Sequence, residues 1–147
     1  MEKFAERKFN QYTKKIIKMM NNNSTTSSNE LNYYGNKLFG SKFLGAFPFD
    51  ISPQLKKNQS MIINVDESNK PGSHWCGVFC INKKKYLVFD SFGRSSKKLL
   101  PKFGKGDTII DTDHDQNQKI KEQDCGQKSL SWLYVCYNDG VKYAKLI

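Results

Sequence analysis

Cys125, His74 and Asp90 are the residues of this chain whose types and spacing could perform nucleophilic catalysis. Cys125 precedes an apolar run that predicts a buried helix. In that run, apolar side chains recur at spacings of three and four residues, at Leu130, Leu133, Tyr134 and Tyr137. The first turn of a helix carries unpaired N–H groups and the positive end of the dipole, both of which favour a thiolate. Cys125 therefore stands where a nucleophile would be placed.

A base and an orienting acid are available 16 residues apart, at His74 and Asp90. Two strand-like runs, 74–81 and 86–90, are joined by a lysine-rich turn, which predicts an antiparallel hairpin. The outer ends of such strands meet at one edge of the sheet, so imidazole and carboxylate can lie side by side. His74 would then take the proton of Cys125 while Asp90 orients the ring.

An oxyanion donor is expected in the polar loop before the nucleophile. Gln116, Gln118 and Gln123 are the candidates there, with the backbone N–H of Cys125 as a second donor. Residue types alone do not choose among the three glutamines. Gly126 follows the nucleophile, and its missing side chain would leave room for a substrate backbone.

Each of these residues also has a structural explanation. A histidine that opens a strand is often a surface residue, and an Asp before Ser-Phe-Gly often forms a turn. Buried cysteines are usually small apolar residues, which is our interpretation of Cys136 as well.

No metal site is predicted from the other cysteines. Cys76 and Cys80 lie four residues apart on one predicted strand, hence about 13 Å apart at roughly 3.3 Å per residue. Two thiolates that bind one zinc ion at about 2.3 Å cannot be separated so far. His114 with its neighbouring aspartates could bind a cation, but an acidic loop is the preferred interpretation.

The chain has a net charge of +10, from 24 basic and 14 acidic residues. Only Arg7 and Arg94 are arginines, and lysine lacks the bidentate fork of arginine. This favours loose contact with nucleic acid over base reading, with a solvated lysine-rich surface as an equal alternative. Four cysteines are too sparse for a disulfide framework. Because neither a leader peptide nor an apolar span is evident, we expect a soluble protein of a reducing compartment.

The first 26 residues have a residue pattern that differs from that of the rest of the chain. Residues 1–20 alternate apolar and basic side chains, which is typical of a basic amphipathic helix for a membrane surface, an acidic partner or nucleic acid. A docked helix or a disordered arm is the favoured alternative. The polar run 21–26 predicts a linker. We therefore predict an extension and linker over 1–26 and one domain over 27–147, opened by a Ser27–Glu30 capping box.

Several ordered motifs carry a family resemblance. They are His74-Trp75, Phe89-Asp90-Ser91-Phe92-Gly93 and Cys125-Gly126 with Gln118 seven residues ahead, within a similarity from about Asn29 to Tyr137. These motifs resemble the adenovirus-type, or adenain-like, cysteine endopeptidases of adenoviruses, virophages, other protist DNA viruses and Polinton (Maverick) transposons. More distantly, the chain is similar to the proteases that remove SUMO-like modifiers. In those proteases the oxyanion glutamine stands six residues ahead, which falls on Lys119 here.

The resemblance implies an α+β papain-like fold with a mixed β-sheet and the nucleophile at the N-terminus of a packed helix. It implies His74 as base, Asp90 as orienting acid, Cys125 as nucleophile and Gln118 with the Cys125 N–H as oxyanion hole. Trp75 and Gly126 would line the substrate cleft. The substrates would be viral capsid and core precursors cut at Gly-rich sites, in the virion and the virus factory of the host cell.

The chain also departs from the adenoviral pattern. The acid is Asp90 where adenoviral enzymes have Glu. No cysteine lies between Asp90 and Cys125, so we expect no disulfide-tethered activating peptide, although DNA or an untethered peptide could still act as a cofactor. Little chain follows the nucleophile helix, which suggests a minimal form or a truncated chain. The alternatives are a modifier-removing protease and a non-enzymatic basic DNA-binding module.

Overall fold

A mixed β-sheet carries the fold in the computed structural model, which describes residues 1–70, 73–113 and 123–147. Within these ranges the sheet has five strands, which follow one another in space in the order of the sequence. They are β1 (Phe43–Pro48), β2 (Ser60–Asn64), β3 (Trp75–Asn82), β4 (Lys85–Phe89) and β5 (Thr108–Asp111). β2, β3 and β4 pair antiparallel, whereas β1 runs parallel to β2 and β5 parallel to β4. The predicted α+β class with a mixed sheet is confirmed.

Helices accompany the sheet at both ends of the chain. They are α1 (Glu2–Met20), α2 (Ser28–Phe39), α3 (Ser96–Leu99), α4 (Cys125–Asn138) and α5 (Val141–Ala144), with short 3₁₀ turns at Gly40–Lys42 and Phe49–Ile51. α2 begins with the predicted capping box, since Ser27 Oγ accepts from the Glu30 N–H at 3.1 Å and the Glu30 carboxylate accepts from the Ser27 N–H at 3.2 Å. It ends at Gly40, whose φ of 66° suits a residue without a side chain.

The predicted hairpin is present. β3 and β4 pair antiparallel around a two-residue turn in which Lys84 has a φ of 59°. β3 is the central strand and β4 lies beside it, so His74 and Asp90 lie at the ends of interior strands. Interior strands have partners on both sides, which restricts the movement of residues that extend from them.

β1 is an element that the sequence did not predict. The two prolines of the segment 43–53, Pro48 and Pro53, predict an extended, looped segment. Instead, β1 forms an edge strand beside β2, with Pro48 as its last residue opposite Asn64. A proline there is tolerated because an edge position needs no N–H for a ladder bond.

The two faces of the sheet are covered differently. One face packs against helices, and the Gly77 position on β3 lets the Trp132 ring of α4 approach the backbone so closely that a Cβ would lie 2.8 Å from it. The other face is covered by loops and α3, with Leu55 and Leu100 over the apolar residues of β2, β3 and β4. The buried Cys76 and Cys80 lie on this second face, as core residues.

α1, which lies within the predicted extension over 1–26, packs into the main core. Its apolar face is buried in the same cluster as α4, through Ala5, Phe9, Tyr12, Ile16 and Met20. Its basic residues lie on the opposite, exposed side. The favoured alternative, a docked helix, therefore describes α1 correctly. None of the described helices is both long enough and apolar enough to cross a bilayer.

Replacement of Phe9 by alanine should destabilise the whole domain if α1 is part of the core. Phe9 is fully buried and its ring lies 5.6 Å from that of Phe89 on β4. Truncation of a buried Phe typically costs about 3–5 kcal/mol, which urea unfolding followed by circular dichroism will measure. The exposed Gln11→Ala on the same helix is the matched control. An unchanged unfolding midpoint for Phe9→Ala would show that α1 folds apart from the sheet.

Candidate active site

The structure brings His74, Asp90 and Cys125 together. His74 Nε2 is hydrogen-bonded to Asp90 Oδ1, and both residues are buried. Cys125 is the first residue of α4, and its Sγ accepts a hydrogen bond from the backbone N–H of Trp75 at 3.4 Å. Trp75 follows His74 in the chain, so the start of β3 presents both the imidazole and an N–H donor to the thiol.

The strand register explains why the imidazole and the carboxylate meet. Gly77 pairs with Phe89 in the β3–β4 ladder. Extension of this antiparallel register by one residue places Asp90 opposite Cys76, with His74 two residues further along on the same face of β3. Diagonal neighbours of this kind are within side-chain reach. Cys76 consequently lies against the pair as well, since its Sγ and one donor atom each of His74 and Asp90 are all within 4.8 Å of one another.

The carboxylate of Asp90 is held by Arg94 in addition to His74. Its Oδ2 accepts from the backbone N–H of Arg94 at 2.8 Å and from Arg94 Nε at 3.0 Å. Burial alone would raise the pKa of Asp90, but the hydrogen bonds from His74 and Arg94 outweigh it and lower the pKa to about 2. Asp90 is therefore an anion at all physiological pH values.

The pKa of the His74 imidazole shifts in the opposite direction, upward. Burial alone would lower the pKa of His74, but hydrogen bonds with Asp90, Cys125 and Cys76 raise it above the ordinary value of 6.5. An imidazolium next to a thiol at a helix N-terminus stabilises the thiolate. Cys76 is completely buried, whereas Cys125 is 8% exposed. Burial raises the pKa of the Cys76 thiol.

The first turn of α4 is buried on all sides. Asp124 precedes the helix and its Oδ1 lies 3.3 Å from Lys128 Nζ, an ion pair in which both side chains are about nine-tenths buried. Removal of one partner of such a pair would leave an uncompensated charge. This pair therefore ties the residue before Cys125 to the next turn of the helix.

A cleft of about 390 Å³ opens beside the thiol. Its wall contains Trp75, together with the segment 25–28, Asn64 and the half-buried Asp66 and Glu67. The Trp75 indole is fixed because its Nε1–H donates to the Thr26 carbonyl at 3.2 Å. The Trp75 ring and the segment 25–28 thus form one connected wall of the cleft.

The space beside Gly126 is filled by the chain itself, which corrects the expected reason for this glycine. Gly126 is buried, and a Cβ there would collide with Thr26 Oγ1 and lie 3.1 Å from Leu31 Cδ2. The glycine therefore makes room for the segment before α2 and not, at that point, for a substrate backbone. Thr26 Oγ1 is buried without a hydrogen-bond partner among the described residues.

The polar segment 21–26, predicted as a linker, is anchored on α4. We call residues 22–26 the strap. Gln127 is fully buried, and its Nε2 donates to the Asn22 and Ser24 carbonyls at 2.7 and 2.9 Å. Ser24 Oγ donates to Gln123 Oε1 at 3.2 Å. The sequence signal that could have indicated the strap is Gln127. It is an uncharged polar residue with several hydrogen-bonding atoms, and it lies on a helix that the sequence predicts to be buried.

The predicted oxyanion donor Gln118 lies outside the described residues, as does Gln116. Of the three glutamine candidates, Gln123 is described, and its Oε1 is engaged by Ser24. The backbone N–H of Trp75 donates to the Cys125 thiol. Gln118 therefore stays a prediction, and the Trp75 N–H is an observed donor at Cys125.

His74, Cys76 and Asp90 are also of types that ligate metals. Both oxygens of the Asp90 carboxylate already accept hydrogen bonds, one from His74 and the other from Arg94. We therefore interpret the three residues as a hydrogen-bonded cluster. His114 and Asp115, which belong to the loop interpreted as acidic rather than as a cation site, lie outside the described residues.

A comparison with protein-family models and with curated protein sequences finds no match for this chain. The geometry of the site and the motifs in the sequence are therefore the observations from which a function can be argued.

Replacement of Gln127 by leucine should release the strap. The change removes two part-buried hydrogen bonds of a fully buried amide and leaves the Asn22 and Ser24 carbonyls without them, which typically costs about 1–3 kcal/mol. Urea unfolding will measure the loss, and faster hydrogen exchange at 22–26 will locate it. Gln123→Leu, which removes one exposed bond, should have a much smaller effect on both. Equal exchange in the two variants would show that Gln127 does not anchor the strap.

Proposed function

We propose that the chain is a cysteine endopeptidase with Cys125 as nucleophile, His74 as base and Asp90 as orienting acid. The observation that carries this proposal is the buried His74–Asp90 pair beside a thiol that starts a helix and opens onto a cleft. Base, acid and nucleophile come from three separate parts of the chain, and such convergence is rarer than any one of the residues alone.

The geometry supports the following chemistry. The Cys125 thiolate attacks the peptide carbonyl carbon, and the oxyanion that forms accepts hydrogen bonds from N–H groups at the site. The His74 imidazolium gives its proton to the leaving amine, the C–N bond breaks, and a thioester remains on Cys125. His74 then takes a proton from water, whose oxygen attacks the thioester and releases the acid and the thiol. Throughout, Asp90 accepts the Nε2 hydrogen bond and stabilises the positive ring.

The substrate assignment rests on the motif resemblance. His74-Trp75, the segment 89–93 and Cys125-Gly126 are similar to adenain-like endopeptidases, which supports viral capsid or core precursors cut at Gly-rich sites, in the virion and the host-cell virus factory. A Gln118 oxyanion donor and assistance by DNA or an untethered peptide belong to the same proposal. A protease that removes SUMO-like or ubiquitin-like modifiers would use the same chemistry, so a capsid-precursor peptide and a modifier conjugate must be offered in parallel.

Replacement of Cys125 by alanine should abolish peptide cleavage, with a loss of about 10⁴-fold or more in kcat/KM. Cys136→Ala is the control, since Cys136 is a buried thiol on the same helix and away from the cleft. Mass spectrometry after treatment with a thiol-directed peptide probe should find the label on Cys125, because burial raises the pKa of the Cys76, Cys80 and Cys136 thiols.

The outcomes separate the alternatives. Turnover that persists in Cys125→Ala would refute the proposed nucleophile. Cleavage of the modifier conjugate and not of the precursor peptide would assign the deconjugating activity instead. Absence of turnover, with salt-sensitive DNA binding that thiol alkylation does not change, would identify a basic DNA-binding module.

Replacement of Asp90 by asparagine should lower kcat/KM by about 10²-fold and shift its alkaline limit. That limit reports loss of the imidazolium proton, and the carboxylate is a main cause of the raised pKa of His74. Because asparagine carries no charge, the pKa of His74 should fall and the alkaline limit should move to lower pH. Activity assays from about pH 5 to about pH 11, an interval that contains the ordinary imidazole pKa of about 6.5 and extends well above it, will measure this. An unchanged limit would remove Asp90 from the triad.

A further inference from the structure

Arg94 makes a three-point contact with the carboxylate that supports the imidazole. Its backbone N–H and its Nε both donate to Asp90 Oδ2, at 2.8 and 3.0 Å, and its Nη2 lies 3.5 Å from Oδ1. A tight turn makes this possible, since the Gly93 N–H donates to the Asp90 carbonyl at 2.8 Å and Gly93 has a φ of 69°. The turn reverses the chain so that Arg94 faces the residue four positions before it.

Arg94 also stacks on the Phe92 ring, and this ring in turn lies against the imidazole of His74. The Arg94 guanidinium lies 4.8 Å from the centre of the Phe92 ring. The Phe92 ring in turn lies 5.3 Å from the imidazole of His74, tilted by 33°. Arg94, Phe92 and His74 therefore form a stack, and Asp90 is bonded to both ends of it. The Arg94 side chain is 45% exposed, whereas that of Asp90 is 2% exposed.

These contacts determine which carboxylate oxygen of Asp90 bonds to the imidazole of His74. Two N–H donors of Arg94 occupy Oδ2, so Oδ1 is the oxygen directed at Nε2. An ionised carboxylate can only accept, so Nε2 must carry the proton of this bond. Nδ1 is then the ring nitrogen available to exchange a proton with the Cys125 thiol. Without Arg94 the carboxylate could rotate and share its oxygens differently.

We propose that Arg94 is a positioning residue of the catalytic pair: it fixes the carboxylate of Asp90 on Nε2 of His74 and, as a cation, sets the upper pH limit of activity. This inference rests on the proposed endopeptidase function. The guanidinium competes with the imidazolium for the single charge of Asp90. The other titratable groups that act on His74 are Cys76 from β3 and Cys125 from α4. Arg94 is the one strong cation that the described residues bring to Asp90.

The test compares Arg94→Gln and Arg94→Lys with Lys97→Gln, a control that removes one exposed positive charge from the nearby α3. For Arg94→Gln we expect kcat to fall about ten-fold with KM nearly unchanged, because Arg94 is not among the described residues that line the cleft. The alkaline limit of kcat/KM should move to higher pH, since the imidazolium no longer competes with a second cation. Arg94→Lys should keep the limit near that of the wild type, because it retains the charge, while its kcat stays below wild type.

An effect on kcat without any movement of the alkaline limit in Arg94→Gln would reduce Arg94 to a structural role and overturn the proposal. The same would follow if Lys97→Gln moved the limit equally. Proton NMR of the His74 ring measures the same shift without any substrate. Inactivity of the wild-type chain on every peptide would refute the endopeptidase function, whereas an unmoved NMR titration in Arg94→Gln would refute the role of Arg94 alone.

Discussion

The buried hydrogen bond between His74 and Asp90 is the constraint on which the rest of the site depends. A carboxylate that is 2% exposed must be compensated by donors, because desolvation of an unpaired charge costs several kcal/mol. His74 supplies one donor and Arg94 supplies two more, from the turn after β4. The register of the β3–β4 hairpin and the Gly93 turn therefore bring together the donors that this buried charge requires.

The buried start of α4 at Cys125 is a second constraint. Polar groups on a helix that begins inside the protein must find partners without water. The strap carbonyls accept the hydrogen bonds of the buried Gln127 amide, and α1 packs along α4 through apolar residues. The strap in turn holds the Trp75 indole, which lines the cleft. The first 26 residues thus contribute to the geometry of a site whose reacting groups lie far along the chain.

Local patterns predicted the parts of the fold whose determinants are local. The capping box at Ser27, the β3–β4 hairpin and the start of α4 at Cys125 follow from residue types within a few positions of each other. β1 and the strap were not predicted as such, because their ordering comes from distant partners: β2 pairs with β1, and Gln127 holds the strap. Polar composition indicates that a segment cannot form a core alone, but not that a buried amide elsewhere will bind its backbone.

The candidate site shows the same division between local and distant determinants. His74, Asp90 and Cys125 could be nominated by chemical type and order, and the structure shows that they meet. Arg94 could have been noticed as one of two arginines among 24 basic residues, placed four residues after an aspartate. Its contact nevertheless depends on the positive φ of Gly93, and the stack on His74 depends on the hairpin register that sets Phe92 beside the imidazole. A sequence can therefore name the groups that carry the charge, while the turn and the register determine which oxygen meets which nitrogen, and hence which ring nitrogen is left for the thiol.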